Sequence, residues 1–136
     1  MLIRVATESD FKEVFNLVDE LGLSHPTLSI GNFFVAEDGS SIVGVAHVED
    51  FLESAYLSAL GVLPECRGRG VAKQLVDAAM ASVKKDIYAY TLLKDVFTAI
   101  GFVSSEVPKS IPPREIYDCD SCCEPLKCAC MVLKVK

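Results

Sequence analysis

A short turn rich in arginine and glycine, between a strand-like and a helix-like segment, places the tightest constraint on the fold of this chain. It lies in residues 60–72, LGVLPECRGRGVA. The apolar run before it ends at Pro64, and the residues from Val71 onward have the spacing of an amphipathic helix. The first amides of a helix lack intrahelical partners and lie at the positive end of the helix dipole. The segment therefore predicts a strand–turn–helix unit that binds an anion.

The residue types in this turn suit a diphosphate. Gly68 and Gly70 lack Cβ, so the backbone can turn sharply and approach a ligand closely. Arg67 can form forked hydrogen bonds to phosphate oxygens. The P-loop pattern does not fit, because no Gly-Lys-Ser/Thr follows the glycines, and the three-glycine dinucleotide spacing does not fit either. An ordinary strand–turn–helix unit with arginines in solvent is the alternative.

The same stretch resembles the coenzyme A loop of the GNAT acetyltransferases, Gln/Arg-x-x-Gly-x-Gly/Ala. Arg67, Gly70 and Ala72 match that pattern in order, and Val62 and Pro64 match the Val-x-Pro that precedes it. The resemblance implies that acetyl-CoA is the cosubstrate and that a primary amine attacks its thioester directly in a ternary complex. The cofactor-binding residues it implies are Leu60, Val62, Arg67, Gly68, Arg69, Gly70, Val71 and Ala72.

Periodicity along the rest of the chain predicts a sheet flanked by helices. Strands are expected at residues 2–6, 33–36, 41–48, 55–62, 87–91, 102–107 and 131–135, and helices at 11–21, 71–83 and 93–100. Asp38-Gly39 between two of the strands predicts a hairpin. This order predicts an α/β (α+β) fold, which the resemblance makes a mixed, mostly antiparallel GNAT sheet splayed at the cofactor site. With 136 residues and no linker, we expect a single GNAT domain over residues 1–136.

Composition narrows the partners. The net charge of −6 argues against nucleic acid, yet it allows one phosphate-bearing ligand at the positive cluster of Arg67, Arg69 and Lys73. No apolar run is long enough to span a bilayer, and the first residues match neither a secretory signal nor a transit peptide. We therefore expect a cytoplasmic protein with a small-molecule amine substrate and no membrane partner; a homodimer is left open.

The general base is marked less clearly than the cofactor loop. Glu53 precedes the strand that leads to the loop, where the family often places a glutamate or a water held by one. A solvated turn carboxylate is the alternative, and Glu49 and Asp50 are weaker candidates. His47 is expected to be a hydrogen-bonded residue of the sheet, and His25 either lines the amine pocket or faces water.

Two alternatives for the leaving-group acid follow from the sequence. Many family members carry a tyrosine that protonates the departing thiolate, and Phe97 occupies the matching position. Tyr90 is the nearest candidate acid by sequence; otherwise the thiolate leaves unassisted. A protein that binds acyl-CoA but is catalytically weak is therefore an alternative function.

Five of the six cysteines fall within a Cys-rich segment at residues 119–130. The close spacing at both ends can wrap a tetrahedral zinc ion, which makes a tentative ligand set of Cys119, Cys122, Cys128 and Cys130. Reduced thiols that shape a substrate loop and a redox-sensitive disulfide are equally open. A metal or redox sensor on the same scaffold is thus a further alternative function.

The C-terminal half is similar to the N-acetylglutamate synthase-like branch of the family. The matching elements are Tyr90-Thr91-Leu92, Gly101-Phe102, Ile111-Pro112, Cys119-x-x-Cys122 and Cys128 ahead of Met131. Because that branch acetylates the α-amine of an amino acid, the resemblance implies an amino-acid acceptor. The sequence does not identify which one.

Overall fold

Seven strands form one open sheet in the computed structural model, which describes residues 1–91, 93–111 and 129–135. The strands are β1 (Leu2–Val5), β2 (Phe33–Asp38), β3 (Ser41–Asp50), β4 (Ala55–Val62), β5 (Ile87–Thr91), β6 (Val103–Ser104) and β7 (Ala129–Leu133). Their order across the sheet is β1-β2-β3-β4-β5-β7-β6. Among these pairings only β4–β5 is parallel. The mixed, mostly antiparallel sheet predicted from the sequence is confirmed.

Helices cover both faces of the sheet. They are α1 (Phe11–Glu20), α2 (Val71–Val83) and α3 (Lys94–Ile100). On one face Val18 of α1 packs in a core with Val45 of β3. On the other face Leu75 of α2 and Phe97 of α3 pack with Ala46, the next residue of β3. Because successive strand residues point to opposite faces, β3 is buried on both sides.

The predicted order of elements is confirmed, and most boundaries agree to within two residues; the bounds of the last two strands reflect their pairing. β6 is shorter than the predicted strand at residues 102–107, because it is an edge strand whose two residues pair only with Val132 and Met131. β7 begins at Ala129 and ends at Leu133, because it pairs residue for residue with the five residues of β5. In the described ranges, no helix has the length and apolarity that crossing a membrane requires.

The seam between β4 and β5 opens after two residue pairs. Ala55 pairs with Ile87 and Tyr56 with Tyr88, and the described residues show no further pair along this seam. Within the described part of the chain, the backbone edge of residues 57–62 that faces β5 therefore has no strand partner. This is the splay of the central strands that the sequence predicted.

A bulge in β4 lies just beyond the last pair of this seam. His47 of β3 pairs with Ala59, whereas Val48 pairs with Leu57, so Ser58 is the extra residue. A bulge bends its strand and increases the local twist. The bend accounts physically for β4 turning away from β5 at this point.

Candidate active site

The turn after β4 leads from the open seam into α2. A single 3-10 turn, Pro64–Cys66, is followed by two glycines with left-handed backbone: φ is +82° at Gly68 and +77° at Gly70. Residues with a Cβ pay about 1–2 kcal/mol in this region. The glycines are therefore required by the path of the backbone.

The helix that follows starts without a side-chain cap. Gly70 is the N-cap, and its carbonyl accepts the amide of Gln74 at 3.0 Å. The amides of Val71, Ala72 and Lys73 find no acceptor within residues 1–91, 93–111 and 129–135. Helices usually place Ser, Thr, Asp or Asn at this position to satisfy such donors. With glycine instead, the donors remain available to an external anion.

Positive side chains flank these amides. Arg67 donates through Nε to the carbonyl of Val62 at 3.0 Å, which fixes its guanidinium at the end of β4. Arg69 is exposed on the same turn. Lys73 is paired with Asp77 at 2.9 Å, so its charge is partly neutralised. Arg67 and Arg69 therefore supply most of the positive side-chain charge at this site.

The predicted cofactor-binding residues form one continuous strand–turn–helix unit. Leu60 and Val62 lie on the part of β4 that pairs with β3 but, among the described residues, not with β5, and their side chains pack into the core beneath α2. Val71 is buried in the same core, and Ala72 is half-buried beside it. The backbone of these residues can therefore face a ligand while their side chains hold the unit in place. Their role in binding stays a prediction.

The two predicted catalytic residues occupy different surroundings. Tyr90 lies on β5, and its ring centroid is 5.3 Å from that of Tyr56 on β4. Tyr88 shares this face with Tyr90, as the sequence predicted. Glu53 is exposed in the turn between β3 and β4. Both catalytic assignments stay predictions.

A partly buried polar cluster lies beside the bulge, on the face covered by α1. We name it the bulge cluster; its members are His25, Thr27, His47, Glu49 and Ser58. The alternation of β3 could have placed His47 and Glu49 on one face. The sequence gives no signal of the bulge that turns the Ser58 hydroxyl toward them, or of the loop that brings His25 and Thr27.

His47 is the hydrogen-bonded sheet histidine that the sequence predicted. The amide of Ser29 donates to its Nε2 at 3.0 Å, so in the neutral ring the proton is on Nδ1, which lies 2.5 Å from the hydroxyl of Ser58. The side chain is fully buried. Burial, with His25 nearby, lowers the pKa of His47 to about 4. His47 is therefore neutral at ordinary pH and orients Ser58.

Glu49 is the carboxylate of the cluster. Its Oε2 accepts the Thr27 hydroxyl at 2.9 Å and lies 3.9 Å from Nδ1 of His47. Its side chain is 15% exposed. Burial raises the pKa of Glu49, and hydrogen bonds from Thr27 and Ser58 partly offset that rise. A carboxylate in this state accepts protons more readily than a solvated one.

His25 completes the cluster from the loop after α1. Its Nε2 lies 3.1 Å from the carbonyl oxygen of Ser58, which can only accept, so Nε2 carries a proton. Its Nδ1 lies 3.3 Å from the amide and 3.0 Å from the hydroxyl of Thr27. Burial lowers the pKa of His25, and the Ser58 carbonyl partly offsets this. The Thr27 hydroxyl thus lies between a histidine and a carboxylate.

Phe97 belongs to the hydrophobic core. It is buried in α3, and its ring makes an edge contact with Phe102 at a centroid distance of 5.0 Å. The position that the sequence matched to the family's tyrosine therefore holds a ring with no proton to give.

The cysteine prediction falls mostly beyond what the structure describes. Cys119, Cys122 and Cys128 lie outside the described residues. Cys130 is buried on β7, and its Sγ lies 3.8 Å from the carbonyl oxygen of Glu106. The described residues contain no group of three or more His, Cys, Asp or Glu side chains arranged to hold a metal. Zinc binding stays a prediction.

Comparison with known proteins identifies the family. The model of the GNAT acetyltransferase domain matches residues 29–104, more than half of the chain, so the chain belongs to the GNAT family. An uncharacterized N-acetyltransferase of Chlorobaculum tepidum is 29% identical over 107 residues, which cover 74% of this chain and 66% of the relative.

Two solved structures show the same fold at low identity. N-acetylglutamate synthase of Neisseria gonorrhoeae, complexed with coenzyme A and N-acetyl-glutamate, has a TM-score of 0.79 at 18% identity, over 99% of this chain and 35% of the synthase chain. Rv2747 of Mycobacterium tuberculosis, in complex with CoA and a second ligand, has a TM-score of 0.76 at 17% identity, over the whole of both chains. The chain therefore spans about a third of the synthase and about two thirds of the Chlorobaculum protein.

Proposed function

We propose that this protein is an acetyl-CoA-dependent N-acetyltransferase that acetylates a primary amine. The observation that carries the proposal is the uncapped start of α2, reached through two left-handed glycines from the open end of β4. Such a site holds a diphosphate by backbone amides and helix dipole. Membership of the GNAT family supports acetyl-CoA as its ligand.

The cofactor would lie along the open seam. Its diphosphate would accept hydrogen bonds from the amides of residues 68–72, with Arg67 and Arg69 adding charge. The pantetheine amides would pair with the backbone edge of β4 that faces the open seam around Leu60 and Val62. A strand edge offers donors and acceptors to an extended ligand just as it does to another strand.

The reaction needs little covalent chemistry from the protein. The amine nitrogen attacks the thioester carbonyl, a C–N bond forms, the C–S bond breaks, and CoA departs as a thiolate. The substrate ammonium must lose a proton before attack, and the seam holds the two reactants in line. We keep Tyr90 as the candidate proton donor to the thiolate and Glu53 as the sequence-derived base. Tyr90 is supported by its place on β5 at the open seam.

The finer assignment is an amino-acid α-amine as acceptor. Its support is the fold likeness to the gonococcal synthase, together with the motif similarity of the C-terminal half. The single sheet, to which strands from both ends of the chain contribute, supports one acetyltransferase domain over residues 1–136. A cytoplasmic location is part of the same proposal.

A second candidate is a protein that binds acyl-CoA with little catalysis. The observation that favours it is Phe97, which is buried against Phe102 and cannot protonate a thiolate. The cysteine-based sensor has no comparable support, because three of its four cysteines lie outside the described residues.

Turnover of acetyl-CoA with a panel of amino acids, polyamines and peptide amino termini tests the proposal. We expect thiol release and an acetylated amine, with the largest kcat/KM for an amino acid. Acetylation of polyamines or peptides alone would exclude the amino-acid acceptor and keep the activity. CoA binding without turnover of any amine would favour the second candidate.

A further inference from the structure

The bulge cluster lies where the seam between β4 and β5 opens. Tyr56 is the last residue of β4 paired with β5, and Ser58 follows two residues later. Ser58 contacts His25 through its carbonyl and His47 through its hydroxyl. A reactant that enters the open seam therefore arrives beside this cluster.

Thr27 gives the cluster the geometry of a proton relay. Its hydroxyl oxygen is 2.9 Å from Oε2 of Glu49 and 3.0 Å from Nδ1 of His25. A hydroxyl has one proton and therefore donates to one of these neighbours at a time. When Glu49 is ionised the hydroxyl donates to it; when Glu49 is protonated, Glu49 donates to Thr27 and Thr27 to His25.

His47 and Ser58 hold the relay in place. The amide of Ser29 fixes the tautomer of His47, whose Nδ1–H is then directed at the Ser58 hydroxyl. The Ser58 hydroxyl in turn lowers the pKa of Glu49. These contacts leave the carboxylate with oriented partners in a mostly buried setting, which favours a fixed proton acceptor.

We propose that Glu49, Thr27 and His25 form the path by which the substrate ammonium loses its proton. The inference rests on the proposed acetyltransferase function. An N–H bond of the ammonium breaks and the proton binds Oε2 of Glu49, leaving a neutral amine to attack the thioester. The carboxyl proton then moves to the Thr27 oxygen as the Thr27 proton moves to Nδ1 of His25. Glu49 is again a carboxylate, and the half-buried imidazolium of His25 releases its extra proton to water.

The electrostatics of the cluster support this direction of transfer. Burial raises the pKa of Glu49 and lowers that of His25, so the two affinities for a proton approach each other. Among the described residues, the other titratable side chains near the cluster on this face include His47 from β3, Tyr56 from β4, and Tyr88 and Tyr90 from β5, with Tyr90 packed on Tyr56. Neutral His47 adds no charge that would hold the proton on Glu49.

Matched variants test the relay through pH–rate profiles. Glu49→Gln keeps the shape and removes the acceptor, so we expect kcat to fall at least about 100-fold and the acid limb of the profile to disappear. Thr27→Val removes only the hydroxyl. We expect this variant to lower kcat by about tenfold. The acid limb should move to higher pH, because the hydrogen bond from Thr27 lowers the pKa of Glu49 and its loss raises that pKa. Glu20→Gln, an exposed carboxylate at the end of α1, serves as the control with unchanged kinetics.

The affinity for CoA separates this inference from the proposed function. CoA should bind Glu49→Gln and the wild type within about twofold of each other, since the cluster does not touch the glycine turn. If the wild type turns over and Glu49→Gln has the same rate and the same pH–rate profile, the relay is overturned and the proposed acetyltransferase activity stands. A loss confined to Glu53→Gln would do the same and assign the base to Glu53. If the wild type binds CoA but acetylates no amine, both the relay and the proposed acetyltransferase function are contradicted.

Nitrogen NMR of the histidine rings provides a readout that needs no variant. The relay requires that neutral His25 carry its proton on Nε2 and neutral His47 on Nδ1, and the two tautomers differ in their ring nitrogen shifts. Observation of His25 as the Nδ1–H tautomer would break the path at Thr27 and contradict the proposal.

Discussion

The glycine turn and the bulge cluster adjoin the same strand, β4, but they are assembled in opposite ways. The glycine turn comes from consecutive residues, 60–72, and offers backbone amides and arginines. The bulge cluster draws on three segments that are distant in sequence and offers a carboxylate with neutral histidines. One site is built to hold negative charge, and the other is built to exchange protons. In this account the glycine turn anchors the cofactor, and the bulge cluster activates the amine that reacts with it.

The largest expected effect is a loss of stability in acid that comes from the bulge cluster. The pKa of His47 falls from 6.5 to about 4 on folding. Below pH 6.5 this ring is protonated in the unfolded chain, whereas in the folded chain it stays neutral down to about pH 4. The contribution of neutral His47 to the free energy of unfolding is therefore fully present above pH 6.5 and is lost as the pH falls toward 4. The total loss is about 3 kcal/mol. Urea unfolding across this range measures it.

His47→Gln isolates this effect. His25 changes the free energy of unfolding with pH in the same direction as His47, and Glu49 changes it in the opposite direction. The contribution of His47 is therefore the difference between the wild-type and variant curves. The variant should be less stable at pH 7 and should lose much less stability between pH 6.5 and 4. Parallel curves for the two proteins would show that folding does not lower the pKa of His47.

The next largest effect concerns the glycine turn. Arg67→Ala should weaken CoA binding about 10- to 100-fold, because a charge-assisted hydrogen bond contributes about 1.5–3 kcal/mol. Arg67→Lys should be intermediate, since lysine keeps the charge but loses the Nε contact to Val62. Calorimetric titration with CoA measures both. Lys12→Ala, an exposed cation on α1, is the control, and equal affinity in all four proteins would place the diphosphate elsewhere.

A smaller effect follows from the backbone of the turn. Gly70→Ala has open space around the added Cβ but must adopt a φ of +77°. We expect the variant to lose about 1 kcal/mol of stability and to bind CoA more weakly. Gly31→Ala, which also has open space and no positive φ, should lose less. Thermal unfolding with and without CoA distinguishes the two variants. Equal unfolding temperatures for both, with and without CoA, would mean that the turn relaxes without cost.

The smallest effect concerns the ion pair beside the turn. Lys73 and Asp77 are both more than half exposed, so Asp77→Asn should change stability by no more than about 0.5 kcal/mol. CoA binding should stay the same or tighten slightly, because Lys73 is freed from its partner. A loss of more than about 1 kcal/mol would give the ion pair a structural role that its exposure does not support.

The contrast between the two sites also explains what the sequence could predict. The order of the elements follows from periodicity along the chain, and residues 60–72 alone predict the glycine turn and the start of α2. The bulge cluster depends on the one-residue slip at Ser58 and on a loop without periodicity, so only the sheet position of His47 was predictable. The position of Glu53 before β4 makes it the base that the sequence favours, whereas the burial of Glu49 and its contact with Thr27 arise only in the folded chain.

A crystal structure of the protein with bound CoA tests the central claim most directly. We predict diphosphate oxygens within about 3 Å of the amides of residues 68–72, and pantetheine along the open edge of β4. A diphosphate bound away from the start of α2, or a seam left empty at saturating CoA, would contradict the account.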